Sequence, residues 1–139
     1  MNLTMNEAIQ LILDFRQFPT GFWKDRPIEN PLVIRFIEEG YASLDTEYQE
    51  KYVLNNKGAD LLHIYIKQIS TDFIFYIKGK QFTSFDTDSI KWFMDKYSLD
   101  NDTAECLYDY ITYNLKTYGY KRSEIHQTGK GCGYSFQKC

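Results

Sequence analysis

Two histidines, three cysteines and nineteen acids are the obvious carriers of chemistry in this chain of 139 residues. His63 follows Asp60 by three positions and precedes Lys67 by four, so on a helix the three share one face. A surface ion-pair row accounts for them. His126 and Cys132 flank a glycine-rich turn and can approach across it, but two ligands fall short of the four that zinc takes. A Cys-His nucleophile would also need an orienting group and an oxyanion site, and the sequence supplies neither. Asp100-Asn101-Asp102 begins as a calcium loop does, yet Ala104 holds the fifth position and no glycine stands at the sixth. Asp86 and Asp88 stand two apart just ahead of a periodic apolar segment, where capping residues belong. Gly129-Lys130-Gly131-Cys132-Gly133 departs from the phosphate-loop pattern and has no helix after it; it reads as a turn. The expectation is a chain that is not an enzyme, with no catalytic residues, no metal and no cofactor.

Function must then be sought in charge and surfaces. The net formal charge is −3 and the isoelectric point is near 5.4, which argues against a surface given over to nucleic acid. The charge is unevenly spread. Ile34 to Lys51 carries Glu38, Glu39, Asp45, Glu47 and Glu50 against Arg35 and Lys51 alone. From Lys116 onward the order reverses: Lys116, Lys121, Arg122, Lys130 and Lys138 face a single acid, Glu124, leaving +4 there and −7 in the remainder. Tyr118, Tyr120, Tyr134 and Phe136 interleave with these cations, either as stacking residues for a nucleic acid or as the buried face of a solvated hairpin.

The elements that would position these charges follow from periodicity and punctuation. Residues 4 to 16 read as a helix capped at Thr4 or Asn6, with Ile9, Ile12, Leu13 and Phe15 apolar. Pro19, Gly21 and Pro27 make Gln17 to Asn30 an ordered connector, drawn onto the core by Phe18, Phe22 and Trp23. Asn30-Pro31 starts a short helix that stops at Gly40. Tyr41 to Leu44 and Tyr52 to Leu54 flank a polar loop as two strands of a hairpin. Asn55 or Asn56 caps the next helix, in which Leu62, Ile66, Ile69, Phe73 and Ile77 recur at helical spacing. Leu61, Tyr65, Ile74 and Tyr76 broaden its apolar surface, so Leu61 to Ile77 is either central to the core or shared with a second copy in a homodimer. Gln81 to Phe85 reads as a bridge, Asp86 to Ser89 as a cap before Ile90, Trp92, Phe93 and Tyr97, and Asp102 as the cap of a helix ending at Gly119. Tyr120 to Gln127 and Cys132 to Lys138 form a second hairpin around Thr128-Gly129-Lys130-Gly131.

Twelve tyrosines and ten phenylalanines in a chain 43% hydrophobic supply enough apolar area for a core without disulfides. Cys132 and Cys139 fall on one strand, roughly 23 Å apart, beyond a disulfide's reach. Reduced thiols in a cytoplasm are expected. The N-terminal residues lack the flank and apolar core of a secretory signal, and Phe73 to Ile77 is far shorter than the ~20 residues of a membrane span. No membrane association is expected.

The succession of helix, Gly40, strand, polar loop, strand and capped helix, with Tyr52, Leu54, Lys57 and Gly58 at its junction, resembles the winged helix-turn-helix family over about residues 4 to 78. Gly119-Tyr120 repeats the step of Gly40-Tyr41 from helix to hairpin. The resemblance implies an α+β, mostly helical fold with two β-hairpins as wings: a first module over 1–80 and a smaller second one over 81–139. The first copy departs from the family, because breakers occupy 17–30 where a further helix belongs, and its implied reading helix and wing are acidic.

Two functions are compatible with this pattern. In one, the acidic wing of Glu38, Glu39, Asp45, Glu47 and Glu50 mimics phosphate and steers a basic protein partner, as an immunity or inhibitor protein does for a nuclease-type toxin. In the other, Lys116, Lys121, Arg122, Lys130 and Lys138 contact DNA or RNA as a transcriptional regulator would.

Overall fold

Asn55 and Gly58 show how one short run of sequence closes a fold. In the computed structural model the Asn55 side-chain amide donates to the Gly40 carbonyl at 2.8 Å and to Ser43 Oγ at 2.7 Å. Its Oδ1 accepts the Gly58 N–H at 2.9 Å, so one residue both starts a helix and ties it to the preceding turn. Lys57 adds a second tie, donating to the Glu39 carbonyl at 3.0 Å with its ammonium 4.4 Å from the centre of the Tyr41 ring. Gly58 is glycine because the Tyr41 backbone passes against it: a Cβ there would collide with the Tyr41 carbonyl oxygen and with a Leu54 methyl. Lys57 and Gly58, two of the residues that carry the winged-helix resemblance, thus have structural roles here.

The structure describes residues 1–47, 50–83, 86–127 and 131–139, without the side chains of 83, 125–127, 131 and 132. Along them run α1 (Met5–Ile12), β1 (Phe22–Trp23), α2 (Pro31–Glu38), β2 (Ala42–Leu44), β3 (Lys51–Leu54), α3 (Asn56–Ile77), β4 (Gln81–Thr83), α4 (Thr87–Tyr97), α5 (Asn101–Asn114), β5 (Tyr120–Gln127) and β6 (Gly131–Lys138). The protein is α+β and mostly helical, with two three-stranded antiparallel sheets. It divides into two compact units, Met1–Ile66 and Lys67–Cys139. The division falls inside α3, ahead of the seam after Lys80 that the sequence pattern suggests.

In the first unit, Thr4 and Glu7 form a capping box that starts α1, which satisfies two helix-end donors at once. After Ile12 the helix widens into a π-turn over Leu13–Gln17, closed by the Phe18 N–H on the Leu13 carbonyl. Buried Phe15 then reaches Phe22 and Phe36, with ring centres at 5.1 and 5.4 Å. Asn30 caps α2 by accepting the Leu32 N–H at 3.0 Å, with Pro31 in the first turn. The segment read as a connector contains β1, which pairs with β3 beside the β2–β3 hairpin in the order β1-β3-β2. Phe22 is half-buried there, whereas Phe18 and Trp23 are exposed. The lone helix α2 stands between β1 and β2, in keeping with the breakers in 17–30.

The second unit repeats the strand order. The bridge read over Gln81 to Phe85 contains β4, which pairs with β6, and β6 pairs with β5, giving β4-β6-β5. Two helices intervene, joined through Ser98 in the left-handed region at φ 55. The cap of α5 is Asp100, which accepts the Thr103 N–H at 2.7 Å, and not Asp102. Gly40 and Gly119 each end a helical segment with positive φ, 84 and 82, the conformation glycine adopts without strain. Thr128 to Lys130 of the expected turn lie outside the described residues.

Leu62, Ile66, Ile69, Phe73 and Ile77 are all buried, so the apolar stripe of α3 is spent on the chain's own core. Ile64 and Phe75 remain exposed on it. Gly58→Ala separates local propensity from packing. Alanine favours a helix over glycine by up to ~1 kcal/mol, but a collision with backbone cannot be relieved by a rotamer change. The variant is expected to lose about 1–3 kcal/mol in urea unfolding followed by circular dichroism.

Candidate functional site

Charged side chains are placed differently in the two units. In the first, Glu38, Glu47 and Glu50 are exposed, and no ion pair engages them among the described residues. Glu39 is held by Arg35 at 3.3 Å. Asp45 accepts the Glu47 N–H at 3.2 Å, which shapes the start of the β2–β3 loop, while Tyr48 and Gln49 lie outside the described residues. The cations nearby in sequence are turned to rings: Lys51 and Arg26 lie over Trp23, at 4.3 and 5.6 Å from its ring centre. Of the five predicted acids, Glu38, Glu47 and Glu50 are in no ion pair among the described residues.

The second unit holds a second acidic face that composition alone did not single out. Asp102, Glu105 and Asp109 follow one another at helical spacing on α5 and are exposed. Cys106 lies among them; desolvation first, then the charges of Asp109, Glu105, Asp102 and Asp100, push its thiol up from the ordinary value. Asp109 is itself raised, by burial and then by Asp86. Tyr113 is exposed further along the same helix. The signal was present in the sequence as acids three and four apart, masked there by reading Asp102 as a cap.

The basic C-terminal residues do not assemble. Side chains alternate across a strand, so Lys121 and Arg122 point to opposite faces of the sheet, and the register sets Lys121 against Gln137, Arg122 against Phe136 and Tyr120 against Lys138. Arg122 is exposed in part but committed to internal partners. Its guanidinium donates to Asp86 at 3.2 Å and to Glu124 at 2.9 Å, and lies 3.7 Å from the centre of the buried Tyr134 ring. Desolvation opposes its charge, but the Glu124 hydrogen bond and Asp86 carry its pKa above the ordinary value. Lys116 lies over Tyr113 at 5.2 Å, Lys121 and Lys138 are exposed, and Lys130 lies outside the described residues. Tyr134 and Phe136 are buried, while Tyr118 and Tyr120 are half-buried.

Asp86 departs from its expected role. It precedes α4 but makes no side-chain cap; instead its carboxylate accepts from Tyr108 Oη at 2.7 Å and from Arg122. Tyr108 Oη also lies 3.4 Å from Tyr134 Oη, so α4, α5, β5 and β6 meet at this carboxylate. Burial first, then the hydrogen bonds to Tyr134 and Asp86, hold the Tyr108 hydroxyl well above its usual pKa.

Among the described residues no cluster of three metal-ligating side chains occurs. His126 and Cys132 are cross-strand partners in the backbone register, with their side chains outside the description. The ion pairs among the described residues are Arg35–Glu39, Arg122–Asp86 and Arg122–Glu124, so Asp60, His63 and Lys67 form no such row. Cys106 and Cys139 are free thiols, and among the described residues no helix is long and apolar enough to cross a membrane. Comparison with protein-family models, with curated proteins and with solved structures gives no match.

Two outcomes are expected. Asp86→Ala removes the carboxylate acceptor of the buried Tyr108 hydroxyl and should cost about 1–3 kcal/mol, whereas Arg122→Ala at a part-exposed ion pair should cost about 1 kcal/mol or less; denaturant melts of both variants compare the two terms. The acidic field of α5 has its own readout. Because a raised thiol pKa lowers the thiolate fraction at a given pH, Cys106 in a Cys132→Ser, Cys139→Ser background should alkylate more slowly than free cysteine in mildly alkaline buffer. Glu105→Gln with Asp109→Asn, or added salt, should speed it severalfold.

Proposed function

We propose that the chain is a non-enzymatic protein-binding module of winged-helix-like build that engages a basic partner. The class of partner that fits best is a nuclease-type toxin, which the chain would hold inactive as an immunity or inhibitor protein does. The observation that carries this reading is the sign of the surface at the elements where a winged helix would approach phosphate. In the first unit those elements present Glu38, Glu47 and Glu50, in no ion pair among the described residues; in the second, α5 presents Asp102, Glu105 and Asp109. The first unit's element order, with a single hairpin beside a short strand, and the second unit's two helices ahead of a hairpin support the winged-helix build.

A polyanion is repelled by such faces, whereas a cleft evolved to bind phosphate is attracted to carboxylates held at the surface. Complementary charge acts first on the association rate and suppresses wrong partners, so a small acidic domain can capture its target quickly without chemistry of its own. Half-buried and exposed aromatics such as Tyr113 would supply the contact area on docking.

Affinity capture with the intact chain, followed by kinetics with the captured protein, tests the reading. A partner of high isoelectric point should associate fast, with a rate that falls as salt rises. Glu47→Lys with Glu50→Lys should slow association by about tenfold or more while leaving the melting curve of the free chain near that of the parent. Unchanged association by the reversed variant, or tighter retention of duplex DNA than of any basic protein, would overturn it.

A further inference from the structure

An open cleft of about 570 Å³ lies between the end of α3 and α4 in the second unit. Its walls are aromatic: Tyr76 and Trp92 stack with ring centres 5.0 Å apart and planes 15° from parallel, and Phe75 stands 84% exposed at the edge. Its rim is basic, with Lys78 and Lys80 just beyond the helix end and Lys96 reaching in from α4. None of the three lysines is in an ion pair among the described residues. The one acid of the lining, Asp72, is occupied in accepting the Tyr97 hydroxyl at 3.2 Å.

A helix C-terminus attracts cations, which explains Lys78 and Lys80 without any ligand. It does not explain Lys96, which belongs to a different helix and brings a third like charge to the same cleft. All three lysines are exposed on the rim of the cleft, and an anion seated there would be attracted by the three charges together. The Lys80 ammonium, 3.9 Å from the centre of the Tyr76 ring, meanwhile keeps the aromatic wall beside the charge. The volume falls in the ~300–1,000 Å³ range of small-molecule sites, and an exposed phenylalanine beside a stacked Tyr-Trp pair offers a face to a planar ring.

We propose that this cleft binds a small anionic ligand with a planar ring, of mononucleotide size and chemistry: phosphate among Lys78, Lys80 and Lys96, base against Phe75 or the Tyr76–Trp92 wall. The site uses neither the acidic wing nor the exposed face of α5, so it stands or falls independently of the partner surface.

The test follows Trp92 fluorescence in a Trp23→Phe background, which leaves one tryptophan, during titration with a purine mononucleotide. Inorganic phosphate, the bare nucleoside and a short oligothymidylate serve as comparison ligands. Saturable quenching by the mononucleotide is expected, weakened by salt, with phosphate and nucleoside each binding at least about tenfold more weakly. Lys78→Ala, Lys80→Ala and Lys96→Ala combined should weaken it by about tenfold or more. These are surface positions, and circular dichroism verifies that the variant is folded. The proposal is overturned by an absence of saturable quenching, by unchanged affinity in the folded lysine variant, by equal binding of phosphate or nucleoside alone, or by much tighter binding of the oligothymidylate, which would make the cleft part of a strand-binding track.

Discussion

The second unit is organised around one ring. Phe73 is fully buried, and its centre lies between 5.0 and 6.1 Å from those of Tyr76, Trp92, Phe93, Tyr108 and Phe136. Residues of α3, α4, α5 and β6 therefore share a single packing constraint. Tilted and edge-on contacts of this kind add specificity to the non-directional hydrophobic term, because each aromatic pair prefers particular geometries. A three-stranded sheet and three helical segments could not choose their arrangement from propensity alone; a ring that must satisfy five others narrows the choice. It also explains why the cleft beside it is walled by aromatics: Tyr76 and Trp92 touch Phe73 on one side and line the open space with the other.

Polar anchoring follows from this packing. With Tyr108 and Tyr134 drawn into the aromatic core, their hydroxyls need acceptors or donors, since a buried hydroxyl left unpaired is costly. Asp86 supplies the acceptor for Tyr108, and Arg122 balances its charge. This is why the basic character of the C-terminal hairpin, conspicuous in the sequence, is smaller at its surface. One of its cations is engaged by Asp86 and Glu124, and Lys121 and Lys138 fall on opposite faces of the sheet. Asp102 and Glu105 of α5 and Glu38, Glu47 and Glu50 of the first unit are in no ion pair among the described residues and remain at the surface.

Much of the fold was legible because its signals are local. Thr4 with Glu7, Asn30 with Pro31, the Leu62-to-Ile77 stripe and the helix-ending Gly40 and Gly119 each announce an element within a few residues. The two short strands were hidden for the opposite reason. Phe22–Trp23 and Gln81–Thr83 have no periodicity to read, and become strands only through pairing with β3 and β6 far along the chain. The division inside α3 was equally silent, since no glycine, proline or change of composition marks Ile66 and Lys67. Asp86 read as a cap because position before a helix is visible and a tyrosine hydroxyl in space is not. The acidic wing was legible as a charge run, but the lysine cleft was not: Lys78-Gly79-Lys80 looked like a helix stop, and nothing in the sequence joins it to Lys96.

The Asp86–Arg122 contact also bears on how the C-terminal ribbon reaches its correct alignment. Its eight-residue strands contain glycines and small polar residues, the composition in which neighbouring alignments differ least in energy. A slip of β5 by one residue would turn Arg122 outward, present Lys121 to Asp86, and replace a planar fork lying on the Tyr134 ring with a point charge that cannot reproduce its paired hydrogen bonds. The anchor therefore favours the observed register over its neighbours as well as holding the finished sheet.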